Sequence, residues 1–380
     1  MVVTPWEVRG SVDYDKLIRE FGVSKIDNKL IKSIHNQAKK QGLKEHHFLR
    51  RNIFFAHRDL NWLIKEYDKG NKFFLYTGRA PSGKIHLGHL IPWMFTKWLQ
   101  DVYKVELWFQ FPDEEKFLFK KDMTLEETKK YTKDNMLDII ALGFDPKLTH
   151  FIIDTKHAGL MYKEAIKIAK KITFSTVKAA FGFKNNQNIG AIFYTAMQAV
   201  PTILPSVIKG RKIPCLIPHA IDQDPHFRVS RDVVRKLGYH NPASIQCRFL
   251  PGLGGFKDDG KMSSSGKNNS AINTTDDPKT VKEKINKYAF SGGQSTIEEH
   301  RKLGGNPDID VSYQWLTFFE EDNKKLEKIY KDYKSGKLLS GELKQILIDK
   351  INKFLEQHQK EREKAKEKIN SFIYKPQIFK

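Results

Sequence analysis

Cysteine is nearly absent. Only Cys215 and Cys247 occur in 380 residues, with no CxxC pair and no Cys/His cluster at metal-ligand spacing. A disulfide framework is excluded and a zinc site has no support, so the two thiols read as core residues. Long apolar runs are missing too. Nothing approaches the roughly 20 uninterrupted apolar residues of a membrane span, and no membrane partner is expected. The opening MVVTPWEVRGSVDYD has neither the basic block nor the apolar block of a secretory signal, which makes a cytoplasmic home the expectation. Acidic residues are the minority sign, 45 against 66 basic for a net charge of +21, and such an excess favours a polyanion such as nucleic acid. Arginine is scarce, however: 13 of the 66 cations, the rest lysine. Lysine-rich solvated faces give the same excess with no ligand at all, so charge alone does not decide. What is present is a 39% hydrophobic, 12% aromatic chain, enough to bury a large core and to divide into two or three domains.

Residues 1–70 read as short amphipathic helices, 14–21, 28–40 and 61–67, with Gly22, Gly42 and Gly70 as stops: an appended, mostly helical extension. Gln37 is placed on an exposed face of the second. At Lys72 the pattern changes to KFFLYTG, a compact apolar run ending in glycine, which leads through RAPSGK into the helix-like HLGHLIPWMFTKWLQ. VELWFQF from Val105 and LTHFIID from Leu148 repeat the strand signal around a polar helix at 124–142. Such alternation predicts a Rossmann-like parallel sheet covered by helices over 71–273, interrupted by a helical insertion near 156–208. Strand signals return at PCLIPHAID and SIQCRFL. A Gly/Ser/Lys/Asn-rich stretch at 252–273 reads as a loop, and 274–380 as a separate all-helical domain with one basic face. The fold class is therefore α/β.

Two short motifs carry chemistry. His86-Leu87-Gly88-His89 follows the strand and turn and opens a helix, which aims imidazoles and backbone amides at whatever binds beyond the strand end, the place for a triphosphate. At this composition an HxGH string arises by chance about 0.03 times per chain, so alone it is suggestive and in this setting stronger. Lys261-Met262-Ser263-Ser264-Ser265 sets a lysine and several hydroxyls where a loop could close over pyrophosphate. By itself it is also an ordinary soluble loop; the two motifs in this order around a Rossmann-like core leave little room for that reading.

These residues resemble the two signature sequences of class I aminoacyl-tRNA synthetases. The longer strings LYTGRAPSGKIHLGHLIPWMFTKWLQD, AIDQDPHFRVSRDV, KMSSS, AFSGGQSTIEEHRKLGG and YQWLTFFEEDNKKL resemble the tryptophanyl family of eukaryotic and archaeal type, over roughly residues 48–370. Three departures stand out: a turn between Pro81 and His86 about one residue shorter than in human-like members, Tyr194 where the family has Phe, and His219 where it has Cys.

The resemblance implies ATP with Mg²⁺, L-tryptophan and tRNA(Trp) as ligands, no protein-held metal, and a helical C-terminal domain that binds the anticodon. It implies His86, His89 and Lys261 as catalytic groups. Thr77, Gly78, Arg79, Gly88, Met262, Ser263 and Ser265 join them around ATP. Tyr76 and Gln110 are implied as partners of the indole N–H, and Glu115, Gln198 and Gln223 as holders of the substrate ammonium. A tryptophan carboxylate is already nucleophilic at neutral pH, so activation needs alignment and stabilised pyrophosphate rather than a general base. The nearest alternative, a tyrosyl-tRNA synthetase, would carry an acidic residue facing the phenol where this chain has Gln110. A small nucleotidyltransferase would lack the helical C-terminal region, and a non-catalytic descendant would have lost Lys261 or His89. Family members are homodimers, and the helix from His89 to Leu99, with Trp93, Phe95 and Trp98, is expected to serve partly as interface.

Overall fold

The computed structural model describes residues 2–3, 8–9, 13–255, 262 and 271–376; Lys261, Ser263, Ser264 and Ser265 lie outside them. A short antiparallel ribbon, β1 (Val2–Val3) with β2 (Val8–Arg9), precedes the main body. The centre is a seven-stranded sheet of β3 (Ser24–Lys25), β4 (Phe54–Arg58), β5 (Phe74–Gly78), β6 (Leu107–Phe111), β7 (Thr149–Ile153), β8 (Cys215–Ala220) and β9 (Ala243–Cys247). Their order is β3-β4-β9-β8-β5-β6-β7. The five strands from β9 to β7 pair in parallel, while β3 and β4 are antiparallel. Among the five parallel strands chain order runs outward in both directions from the β5/β8 boundary, and a ligand crevice belongs at the carboxyl ends there.

The strands are apolar almost throughout because both faces are covered. Alternation then sorts their side chains. Leu75, Leu107, Phe109, Phe151 and Leu216 face one core; Phe74, Tyr76, Trp108, Ile152, Cys215 and Ile217 face the other. The first face packs on α5 (Leu87–Tyr103) and α7 (Leu125–Ala141). The second packs on helices between β7 and β8, including α8 (Ala158–Ala169) and α10 (Ile189–Met197), where a helical insertion was expected. The aromatics of α5 are spent inside the chain: Trp93 and Phe95 are buried, and Trp98 stacks on Phe95 at 5.4 Å. The core share of the role expected for His89–Leu99 thus falls to Trp93 and Phe95, while Trp98 is half-buried.

Residues 1–70 are not simply appended helices. α1 (Tyr14–Phe21), α2 (Asn28–Lys40) and α4 (Leu60–Asp68) sit where periodicity places them, but Phe54–Arg58 joins the sheet antiparallel to β9. FFAHR carries too few apolar residues for a readable period, and Phe54 is fixed by stacking on Phe95 at 3.9 Å. α3 (His47–Arg50) also reaches forward: His47 Nε2–H donates to Phe318 O at 2.7 Å and Arg51 to Thr317 O at 2.8 Å. Beyond residue 274 the chain is mostly helical, with α15 (Val311–Phe319) and α17 (Ser340–Ala365) contributing to the same continuous core as the sheet. α17 docks on α7 through His358 Nε2 at 2.9 Å and Arg362 Nε at 3.1 Å from the buried Asp138 carboxylate. Among the described residues no helix is long and apolar enough to cross a membrane.

Candidate active site

A cavity of about 360 Å³ opens at the carboxyl ends of β5, β6, β8 and β9. Tyr76, Thr77, Gly78, Arg79, His86, Gly88, His89, Gln110, Glu115, Gln198, Gln223 and Met262 all line it, so every expected site residue that falls within the described residues comes to one place.

One end is built by the β5–α5 turn. Gly78 is required by close approach: a Cβ there would stand 2.8 Å from Gln110 O. Arg79 N–H donates to the same carbonyl at 2.9 Å. The guanidinium lies deep, where burial lowers its pKa to about 10, partly offset by Glu115; it stays a cation, and its Nε has no partner among the described residues. At the start of α5, His86 N–H donates to His89 Nδ1 at 3.2 Å and the two rings stack at 3.5 Å. A neutral His89 therefore carries its proton on Nε2. A Cβ on Gly88 would crowd His86 Nδ1 at 3.1 Å and touch Met262 Cβ at 3.5 Å, so Gly88 lies against both signature motifs. Both flanks of the Lys261 segment are anchored at this end: Met262 N–H donates to Leu250 O at 3.3 Å, and Leu87 N–H to Ile272 O at 3.0 Å.

The other end is a row of hydrogen bonds across neighbouring strand ends. Tyr76 OH donates to Gln110 Oε1 at 2.6 Å, and Gln110 Nε2–H to Asp154 Oδ2 at 2.6 Å. All three side chains are buried, and burial holds the Tyr76 phenol protonated, well above its ordinary range. Asp154 is raised by burial and by Glu114, and Glu114 by burial to about 7. Between the two ends lies Glu115, which accepts from Lys116 Nζ at 2.7 Å and from Tyr194 OH at 2.8 Å. Tyr194, a departure from the family pattern, thus spends its extra hydroxyl on this carboxylate. His219, the other, donates Nδ1–H to Ala220 O at 2.8 Å and packs on Phe227, whose ring stands edge-on to Tyr76. Burial lowers the His219 pKa, leaving a neutral ring.

Asp154, Glu114 and Phe227 were not picked out from sequence. For Asp154 a signal existed, since it closes LTHFIID at the carboxyl end of a parallel strand. Among the described residues no three His, Cys, Asp or Glu side chains are grouped to hold a metal ion.

Comparison with known proteins agrees with this geometry. The family described as tRNA synthetases class I (W and Y) matches residues 68–356. A protein of Sulfolobus acidocaldarius named "Tryptophan--tRNA ligase" is 53% identical, over 98% of this chain and 95% of that one. A Homo sapiens protein named "Tryptophan--tRNA ligase, cytoplasmic" is 48% identical, over 97% and 79%. The crystal structure of Plasmodium falciparum tryptophanyl-tRNA synthetase superposes with a TM-score of 0.88 at 44% identity, covering 96% of this chain and 98% of its own.

Proposed function

The chain belongs to the class I tRNA synthetases of the tryptophan and tyrosine group, and on that premise we propose that it is a tryptophan–tRNA ligase holding tryptophan at the Tyr76 end of the cavity and ATP at the His86 end. The observation that carries the reading is the buried Tyr76–Gln110 pair, an acceptor for an indole N–H beside the ring of Phe227. An acidic group that would suit a phenol is held behind Gln110, so the tyrosyl reading is not favoured.

In the first step a carboxylate oxygen of tryptophan attacks the α-phosphorus of ATP, and pyrophosphate leaves as the mixed anhydride forms. Glu115, Gln198 and Gln223 hold the ammonium. Thr77, Gly78 and Arg79 receive the nucleotide; His86, the Gly88 amide and His89 meet its phosphates at the positive end of α5. Lys261, with Met262, Ser263 and Ser265, stabilises the departing pyrophosphate, and charge on the phosphates is further neutralised by the Mg²⁺ that ATP brings. In the second step the 2′-hydroxyl of the terminal adenosine of tRNA(Trp) attacks the anhydride carbonyl and AMP leaves. Residues 274–380 serve as the anticodon-binding domain in this reading, with 71–273 as the catalytic domain, and the enzyme works in the cytoplasm.

A two-fold homodimer belongs to the same proposal. One face that fits is the insertion, where Tyr162 and Ile166 on α8 and Ile189 on α10 are exposed apolar groups. ATP–pyrophosphate exchange driven separately by each of the twenty amino acids tests the function. Tryptophan alone should support exchange; exchange driven by tyrosine instead would overturn the reading.

A further inference from the structure

We propose that Asp154 is a positioning residue that makes the site selective for an N–H donor, by fixing which end of the Gln110 amide faces the ligand. The inference rests on the indole reading above. An amide presents an acceptor oxygen and a donor NH₂ of nearly equal shape, and a tyrosine hydroxyl rotates to suit either. Tyr76 and Gln110 alone would therefore accept an N–H or donate to a ring acceptor with similar ease. The choice has to come from a third group.

Asp154 is that group. Side chains on one face of a parallel sheet line up across strands, and the register Gly78↔Gln110↔Ile152 brings Tyr76, Gln110 and Asp154 onto the face that meets the insertion. Asp154 Oδ2 lies 2.6 Å from Gln110 Nε2. That leaves Gln110 Oε1 to take the Tyr76 hydroxyl at 2.6 Å, with its remaining lone pair toward the cavity. A reversed amide would need the Asp154 proton on Oδ2. Glu114 competes for that proton from the other side: it stands in hydrogen-bond reach of Asp154, and among the described residues Asp154 Oδ1 and Glu114 Oε2 are otherwise buried without a donor. Asp113 is engaged elsewhere, accepting from Thr155 N–H at 3.0 Å and Thr155 Oγ1 at 2.5 Å. Asp154 and Glu114 can thus share one proton between Oδ1 and Oε2, which keeps Oδ2 an acceptor. At 2% exposure for Gln110 and 1% for Asp154, a wrong orientation would leave a buried polar atom unpaired between them.

The test is the ratio of kcat/KM for tryptophan to that for benzothienylalanine, which replaces the ring N–H by sulfur, read by pyrophosphate exchange. Asp154→Asn keeps the volume but offers Gln110 a donor, which permits the reversed amide. The ratio is expected to fall at least about fivefold, with the KM for ATP unchanged. In a Gln110→Ala background the same substitution is expected to leave the ratio where it is. An equal loss for both amino acids, or a fall that persists without Gln110, overturns the proposal. Should Asp154→Asn not fold, Asp154→Ser is read the same way. A wild-type enzyme with no preference for tryptophan over the analogue would instead overturn the indole reading itself.

Discussion

The two ends of the cavity are built on opposite plans. At the Tyr76 end Tyr76, Gln110 and Asp154 are buried and bonded to one another, in a row across three neighbouring strand ends. At the His86 end the groups are a guanidinium, two stacked imidazoles and helix-start amides, contributed by the β5–α5 turn and the start of α5, with Leu250 and Met262 beside them. The difference follows from what each end must do. Selectivity comes from polar groups that a wrong ligand would leave unpaired, so those groups must be unable to turn elsewhere. Catalysis comes from cations and amides whose interaction grows as charge moves onto the leaving group, so they need to reach the phosphates rather than be saturated beforehand.

The largest effect expected is at the second end. Lys261→Ala should lower the rate of adenylate formation by about 10²- to 10³-fold while changing tryptophan binding only a few-fold, because the lysine acts on charge that develops late. Pre-steady-state formation of the adenylate at an unchanged rate would remove Lys261 from the mechanism and break the contrast. Gln110→Ala tests the first end. It should cost about 1 to 3 kcal/mol of discrimination, roughly 5- to 150-fold in the tryptophan-to-benzothienylalanine ratio. The comparison protein is Asn36→Ala. Gln37, expected on an exposed face, is half-buried with Nε2 at 3.4 Å from Tyr67 OH and is not a neutral control.

How much of this was legible follows from the range of each interaction. The turn and the two strand ends bearing Tyr76 and Gln110 were readable because a strand, a glycine and a helix start are local signals. β4 was not, since NIFFAHR becomes a strand only when β9 supplies its partner nearly two hundred residues later. Nor were the inward contacts of α5: Trp93 and Phe95 look like Trp98 in sequence, yet they pack on Phe109 and Phe54 while Trp98 stays half-buried. Asp154 illustrates the limit most clearly. Its role depends on the register of β7 against β6, a 44-residue separation that no local pattern encodes.

A smaller effect should come from outside both ends. Arg51 donates to the carbonyls of Thr317 and Glu320 and to Asn323 Oδ1 at 2.6 Å, closing the C-terminus of α15, where free carbonyls and the helix dipole favour a cation. Arg51→Ala should lower tRNA charging several-fold, because the C-terminal helices lose a tie to the body, and leave tryptophan-dependent pyrophosphate exchange unchanged. A parallel drop in exchange would mean that the cavity itself senses this contact.

The smallest effect concerns the proton stored behind the Tyr76 end. Glu114, with Asp113, Asp154 and Glu115 around it, is raised from an ordinary 4.5 to about 7, first by burial and then by Asp113 and Glu115 as like charges. The folded protein therefore binds more protons than the unfolded chain between those values. The stabilisation is complete below about pH 4.5, declines as pH rises through the window, and is gone above about pH 7. Glu114→Gln keeps a hydrogen-bond donor for Asp154 but cannot titrate. The melting temperature of the wild type minus that of the variant should accordingly fall by a few degrees between pH 5 and pH 8, on the order of 1 to 3 kcal/mol. Taking the difference cancels groups of opposite sign elsewhere, such as His46, which burial holds neutral at a pKa of about 3. A difference flat across this range would mean that Glu114 holds no proton, and Asp154 Oδ2 would then lose the neighbour that keeps it an acceptor.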